Sequence, residues 1–181
     1  NYEKSLKKDK SLKDKSLKDQ INLIKEELTK YKIKANYNEN LSLSENIKNL
    51  SKQLDKIKIE NILKDKKKNV IKDKKIGTFI LRYQVLSDFP PKELRNIIDK
   101  SKKEIKEGIV VGFSTFEGKV GVAVGITDKL TKRYDAVLLV KTASEILGGK
   151  GGGGRKDFAQ AGGTNKDKIE EAFKILSKKI N

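Results

Sequence analysis

One short stretch of the sequence combines residue types that could bind a phosphate backbone. The segment GGKGGGGRKDFAQAGG, residues 148–163, holds eight of the chain's 14 glycines, with Lys150, Arg155 and Lys156 among them. Glycine permits positive φ and lets backbone N–H groups approach a ligand closely. Arginine adds a planar fork that binds phosphate or stacks on a base. We expect a fixed, crowded backbone path that contacts nucleic acid, with a flexible linker as the alternative.

The order of residues in this stretch excludes the common nucleotide-binding loops. A P-loop needs Gly-Lys-Ser/Thr between a strand and a helix, whereas Lys150 is followed by Gly151 and the stretch follows a helical segment. A dinucleotide-binding loop requires the same strand-to-helix context. The stretch therefore fails as a nucleotide-binding fingerprint of either kind.

Composition limits the chemistry available to the chain. Its 181 residues carry a formal charge of +17, which favours polyanionic partners and nucleic acid first, although lysines that only solvate the surface would give the same charge. It has no His and no Cys, so the commonest general base and metal ligands are missing. No apolar run is long enough for a membrane span or signal peptide, so a cytoplasmic chain without membrane contact is expected. The chain has no Met and starts at Asn1, which indicates a piece of a longer protein.

Residues 1–75 contain no Pro or Gly and are predicted to form a helical, coiled-coil arm. The opening KSLKKDKSLKDKSLKD is predicted to be frayed. Beyond it, apolar residues recur at steps of four and three along two seams, which predict an antiparallel helical hairpin or, alternatively, pairing between chains. Ser42 and Glu45 have the spacing of a capping box that starts the second helix. The seams are Leu17, Ile21, Ile24, Leu28 and Tyr31, and Leu43, Ile47, Leu50, Leu54 and Ile57.

Residues 76–181 are predicted to form a mixed α/β (α+β) globular domain around a central sheet, behind the coiled-coil hairpin. The expected order is strand, helix, strand, strand, helix, short strand, helix. Pro91 suits the first turn of the first helix, and Gly108 is expected to end that helix. In KVGVAVGI one face of the strand carries bulky side chains and the other is nearly bare. We expect a helix to pack closely on the bare face, with a ligand-docking surface as the alternative. Thr164 and Asp167 are expected to cap the last helix.

The combined signature LGGKGGGGRKDFAQAGG strongly resembles that of the C-terminal region of alanyl-tRNA synthetases, a domain also associated with DHH phosphoesterases. The similarity includes KELRNIIDKSKKEIKEGIVVGFSTFEGKVGVAVGITDKLTKRYDA and spans roughly Lys56 to the C-terminus. The sequence departs from the family pattern at Lys156, where proline is usual, and at Phe158, where methionine is common. Its glycine run is also one residue longer than in many members, so the path of the loop is not fixed by the resemblance.

The resemblance implies a non-catalytic module that docks on the elbow of alanine-specific tRNA and helps present its acceptor end to upstream aminoacylation and editing domains. A homodimer through the arm or the globular domain is left open. The implied tRNA-binding positions are Gly148, Gly149, Lys150, Gly151, Gly152, Gly153, Gly154, Arg155, Lys156, Asp157, Gln160, Gly162 and Gly163.

The resemblance also implies which chemistry lies elsewhere. The family's ATP site and its zinc-binding editing site belong to the missing upstream domains of an ATP-dependent alanine–tRNA ligase, and no cofactor is expected in this piece. The alternative is the oligonucleotide-binding half of a DHH-type phosphoesterase, which would need an upstream catalytic half. The helical arm before Lys75 favours the synthetase.

Overall fold

The computed structural model describes residues 2–181, which form two compact units that divide between Asn61 and Ile62. The helices are α1 (Tyr2–Lys30), α2 (Leu43–Lys64), α3 (Leu94–Ile105), α4 (Ala136–Ile146) and α5 (Ile169–Lys179). The strands are β1 (Asn69–Ile76), β2 (Phe79–Ser87), β3 (Gly108–Phe116), β4 (Lys119–Ile126), β5 (Gly152–Gly154) and β6 (Phe158–Gly163).

In the first unit, the two predicted seams pack against each other. Ile21 and Leu28 of α1 form one apolar cluster with Leu50 and Leu54 of α2, and other seam residues surround it. This packing fits the self-paired hairpin, because the seams cover one another within a single chain. The prediction of a frayed opening is wrong, since α1 is helical from Tyr2 onward.

The predicted capping box starts α2. The Ser42 backbone N–H and hydroxyl both donate to the Glu45 carboxylate, at 2.9 and 2.7 Å, and the Glu45 N–H donates back to Ser42 Oγ at 3.2 Å. These hydrogen bonds from Ser42 lower the pKa of the Glu45 carboxyl. The reciprocal bonds satisfy N–H groups that a helix start otherwise leaves unpaired.

The second unit is built on a six-stranded sheet in the order β1-β2-β3-β4-β6-β5. Strands β2 and β3 are parallel and are joined through α3, while the other neighbouring pairs are antiparallel. Glu117 and Gly118, both at positive φ, make the tight turn between β3 and β4 that the sequence predicts. The predicted fold class is confirmed: a mixed α/β domain with a central sheet follows a helical hairpin along the chain.

Helices cover both faces of this sheet. The bulky face of β4 packs with α4 and α5, while α3 lies on the bare face, as predicted. A Cβ added at Gly125 would lie 2.4 Å from Ile98 Cγ2, and one added at Gly112 would lie 2.5 Å from Ile98 Cδ1. The glycines of β3 and β4 therefore let α3 approach closely. The buried residues on the bulky face include Val120, Val122, Val124, Ile126, Leu139, Val140, Ala143, Ala172 and Leu176.

Three local features differ from the sequence analysis. Residues 69–75, the end of the range predicted to be helical arm, form edge strand β1 together with Ile76. The lysines of this strand protect an exposed edge but obscure the alternating pattern that would predict a strand. The last helix is entered through Asn165, whose side chain accepts from Asp167 N at 3.2 Å, so the Thr164 cap is wrong. Helix α3 ends at Ile105 with Lys106 at positive φ, before Gly108 is reached.

A buried polar network holds β1 and α3 against β2. The Arg82 side chain is 10% exposed, and its guanidinium donates to both Asp73 oxygens, at 2.8 and 2.9 Å, and to Glu104 on α3. Ser101 Oγ donates to Gln84 at 2.8 Å, and Gln84 donates to Asn69 of β1 at 2.9 Å. These bonds fix the α3 side of the sheet.

Candidate nucleic-acid interface

The glycine-rich stretch folds into a β-hairpin at one edge of the sheet. Strand β5 pairs with β6 in the register Gly152 with Ala161, Gly153 with Gln160 and Gly154 with Ala159. Residues 155–157 make the turn, closed by a 2.7 Å hydrogen bond from Arg155 N to Phe158 O. Because β5 is the last strand in the sheet order, this bare hairpin forms its exposed rim.

The hairpin separates the predicted cations into two clusters. Lys150 precedes β5, whereas Arg155 and Lys156 lie in the turn at the other end. The five residue steps of β6 correspond to about 16 Å at ~3.3 Å each. The predicted site therefore consists of two regions at opposite ends of the hairpin.

The region around Lys150 is an open groove of about 470 Å³ at the start of β4 and the end of β6. Its cations are Lys150 and Lys119, both exposed. Lys119 was missed in the sequence because only the strand register brings it beside the glycines. The remaining lining residues are Pro91, Val120, Gly121, Gly148, Gly149, Gly151, Ala161, Gly162, Gly163 and Thr164.

Buried Ser144 of α4 holds the two glycine segments together. Its hydroxyl donates to Gly162 O at 2.7 Å and accepts from Gly151 N at 3.2 Å, while Gly149 N donates to Ser144 O at 2.8 Å. Sequence reasoning missed Ser144, although a serine beside Ala143 on the buried face of a helix is a signal for such a role. The groove is thus a fixed backbone path and not a flexible linker.

Most glycines of the stretch are required by the fold itself. An added Cβ would lie 1.9 Å from Gly162 O at Gly149, 2.2 Å from Gln160 O at Gly152 and 2.4 Å from Phe158 O at Gly154. At Gly163 it would lie 2.5 Å from Leu147 Cβ. Two more glycines have positive φ, at +76° for Gly148 and +97° for Gly151. These positions need glycine whether or not a ligand binds.

Two glycines have no such internal requirement. A Cβ at Gly153 would meet no atom within 4 Å, and one at Gly162 would make only an ordinary contact of 3.6 Å with Val120 O. The strand register places both on the same face of the hairpin, with Gln160 between them. Glycine is unfavourable inside a strand, so these two bare, exposed positions indicate close approach of something outside the domain.

The turn at the other end of the hairpin carries an exposed ion pair. Arg155 Nε lies 3.2 Å from Asp157 Oδ1, with 68% and 35% of the two side chains exposed. Lys156 is exposed, and its carbonyl accepts from Ala136 N at 3.0 Å. Of the predicted residues here, Arg155 and Lys156 present charge to solvent, while Asp157 partly neutralises Arg155.

Two further side chains on the α3 side of the hairpin have internal partners. Gln160 Nε2 donates to Pro91 O at 2.9 Å, so its amide already ties β6 to the segment before α3. The Arg95 guanidinium lies 5.0 Å from the centre of the Phe158 ring, within cation–π range. Phe158 is 8% exposed and belongs to the core, whereas Arg95 is a surface cation that sequence reasoning did not select.

Residues 2–181 contain neither a candidate membrane span nor a candidate metal site. No helix there combines the length and apolar character needed to cross a membrane. No three His, Cys, Asp or Glu side chains in that range are grouped so that they could hold a metal ion.

The chain is similar in sequence to a known domain family and to known proteins. The family model of the DHHA1 domain matches residues 78–181. The chain is 54% identical over 84 residues to an alanine–tRNA ligase of Parvibaculum lavamentivorans, covering 46% of this chain and 9% of that protein. It is 44% identical over 101 residues to an alanine–tRNA ligase of Granulibacter bethesdensis, covering 56% and 12%. The chain therefore matches only about a tenth of the length of these curated relatives.

A solved structure gives the same relationship over nearly its full length. The C-Ala domain from Aquifex aeolicus alanyl-tRNA synthetase superposes with a TM-score of 0.55 at 34% sequence identity. The match covers 59% of this chain and 96% of that chain.

Proposed function

Because the chain belongs to the DHHA1 domain family, and within it to the C-Ala domains of alanyl-tRNA synthetases, we propose that its globular unit binds the elbow of alanine-specific tRNA. The observation that carries the proposal is the pair Gly153 and Gly162, two bare positions on one face that no internal contact requires. Lys119 and Lys150 lie in the adjoining groove and Arg155 and Lys156 in the turn, where they supply the charge.

The proposed mode of binding is recognition of RNA shape. An A-form helix hides the base edges of its major groove, so proteins contact phosphates, 2′-hydroxyls and splayed or terminal bases. A rim without side chains at Gly153 and Gly162 would let the RNA backbone lie against the strands. Lysine and arginine at the margins would then bind phosphates and release counterions.

We assign no reaction to this chain on its own. In our proposal it serves a longer ligase whose upstream domains, with ATP and zinc, attach alanine to tRNA and remove wrongly attached amino acids. Tethering makes elbow binding effectively intramolecular, so a modest affinity of the isolated chain would still strengthen binding by the whole protein. A cytoplasmic location and a homodimer remain predictions of the same proposal.

The ligase relatives favour this assignment over the oligonucleotide-binding half of a DHH-type phosphoesterase. The two curated relatives described above are alanine–tRNA ligases, and the matched Aquifex structure is a synthetase domain. The preceding helical hairpin is also the arm expected of the synthetase.

Binding of the chain to full-length alanine tRNA and to its acceptor minihelix tests the proposal. We expect the minihelix, which lacks the elbow, to bind at least ~10-fold more weakly at matched salt. Neutralising about four to six phosphates should give a slope of log affinity against log salt of roughly −4 to −5. Fluorescence anisotropy at two salt concentrations measures both quantities. Affinity that depends only on RNA length would show nonspecific charge attraction and would contradict elbow docking.

A further inference from the structure

A second basic groove lies at the end of α3, away from the glycine groove. It encloses about 610 Å³ and is lined by Lys102, Lys103, Lys106, Glu107, Thr127, Asp128 and Lys129. Four of the seven lining residues are lysines and two are carboxylates. On β4 the lining of the glycine groove ends at Gly121, and this groove adjoins Thr127, so six residue steps separate them, or ~20 Å.

The lysines of this groove have few internal partners. Lys129 Nζ lies 3.7 Å from Glu107 Oε2, an exposed pair that contributes little. Within residues 2–181, Lys102, Lys103 and Lys106 make no ion pair at 4.0 Å or less. Their charge is therefore available to a partner.

The backbone under the groove fixes where these lysines stand. The bare position Gly125 allows the Lys102 stem to lie on the sheet, since a Cβ there would come within 2.8 Å of Lys102 Cδ. Thr127 Oγ1 accepts from Gly108 N at 3.0 Å, which locks the β3 and β4 ends together. Lys106 occupies a positive φ of 65°, a conformation that glycine adopts at lower cost, yet the position carries a lysine.

The groove lies close to the Arg155 turn of the hairpin. Phe158, under Arg95, is paired with Gly125, and Asp157 O accepts from Ile126 N at 2.8 Å, next to Thr127. Arg95 and the turn therefore lie close to the lysines at the end of α3. We call Arg95 and the four lysines of the groove the α3 basic surface: Arg95, Lys102, Lys103, Lys106 and Lys129.

We propose that the α3 basic surface is a second RNA contact, which holds the phosphate backbone of the same tRNA about 20 Å from the glycine groove. The groove has no apolar lining residue, so it lacks the aromatic or aliphatic anchor that centres most protein interfaces, and its occupant is bound by charge. The inference rests on the proposed function. It adds that a short oligonucleotide at the glycine groove cannot reach these lysines, whereas folded tRNA does.

The test uses a variant with Lys102→Gln, Lys103→Gln, Lys106→Gln and Lys129→Gln, which keeps the aliphatic stems. Its matched control, with Lys141→Gln, Lys174→Gln, Lys178→Gln and Lys179→Gln, removes the same charge from exposed positions of α4 and α5. Circular dichroism checks that both variants fold. Anisotropy then measures their affinity for full-length alanine tRNA and for a four-nucleotide RNA over a salt series.

We expect the α3 variant to bind tRNA at least ~10-fold more weakly, with a salt slope shallower by about three, while the control changes by less than ~3-fold. Affinity for the four-nucleotide RNA should fall no more in the α3 variant than in the control. Equal losses of tRNA affinity in both variants, or an unchanged affinity in the α3 variant, would overturn the second contact. If the unmodified chain binds no tRNA, the proposed function itself fails, which separates the two conclusions. Selective binding of an acidic peptide would likewise overturn the assignment to RNA.

Discussion

Replacing Gly149 with alanine is expected to destabilise the globular unit by about 3 kcal/mol, or ~10 °C or more in the thermal midpoint. The new Cβ would lie 1.9 Å from Gly162 O and 2.4 Å from Ser144 Oγ. Both neighbours are held in place, because Ser144 donates to Gly162 O at 2.7 Å and its hydroxyl accepts from Gly151 N. Relieving the clash must break these two hydrogen bonds of Ser144. The cost then includes unsatisfied polar groups as well as overpacking.

Gly153→Ala is the matched control, in the same stretch and with the same added methyl group. Its Cβ would meet nothing within 4 Å, so stability should stay within ~0.5 kcal/mol of the unmodified chain or rise slightly through reduced backbone freedom. Guanidinium denaturation followed by circular dichroism measures both variants. A Gly149→Ala protein as stable as the Gly153→Ala protein would show that the hydrogen bonds of Ser144 do not fix the groove.

Removing the Arg82 side chain is expected to cost about 3 kcal/mol of folding free energy. Arg82→Ala would leave the carboxylates of Asp73 and Glu104 without their guanidinium partner. It would also remove one hydrogen-bond partner of Ser101 in a largely buried network. Breaking a buried ion pair costs ~3–5 kcal/mol, and the lower end applies because both carboxylates are partly exposed. Hydrogen bonding to Asp73 raises the pKa of Arg82, against a lowering by burial, and Glu104 raises it further.

The pKa shift gives the sign of the pH dependence. A group whose folded pKa is raised stabilises the protein below its unfolded pKa. For arginine the unfolded pKa lies far above neutral pH, so the guanidinium contributes its stabilisation over the whole pH range in which the protein can be studied. The loss in Arg82→Ala should therefore be similar between about pH 6 and 9. Lys129→Ala is the control, since that exposed pair with Glu107 should cost less than ~1 kcal/mol. Chemical denaturation measures the free energy of unfolding of both variants. An equally small loss of this free energy in Arg82→Ala and Lys129→Ala would contradict a structural role for the network.

The parts of the fold that could be predicted are those that depend on the spacing of residues close together in the sequence. The Ser42–Glu45 capping box, the two apolar seams and the glycine face of β4 each follow from a fixed spacing, and each is present in the structure. Strand β1 was missed because its exposed lysines outweigh its β-branched residues, and it pairs only through β2. Strand β5 consists of three glycines, which have no side-chain pattern to read.

The sequence predicted which segment forms the candidate site, but not how its residues are arranged in space. Residue types marked the stretch, yet only the register of β4, β5 and β6 brings Lys119 beside Lys150 and sends Arg155 to the other end. The role of Ser144 depends on a hydrogen bond across 18 residues. Sorting the glycines needed atomic neighbours, because Gly152 and Gly153 are identical in sequence but opposite in crowding.

The most direct test of tRNA docking on the bare hairpin face is the affinity of Gly153→Val for alanine tRNA. Valine suits a strand and has open space there, so the chain should stay folded while its branched side chain holds the RNA backbone away. We predict at least ~10-fold weaker binding of full-length tRNA than for the unmodified chain, with a thermal midpoint that is unchanged or higher. A folded Gly153→Val protein that binds tRNA as tightly as the unmodified chain would contradict the account.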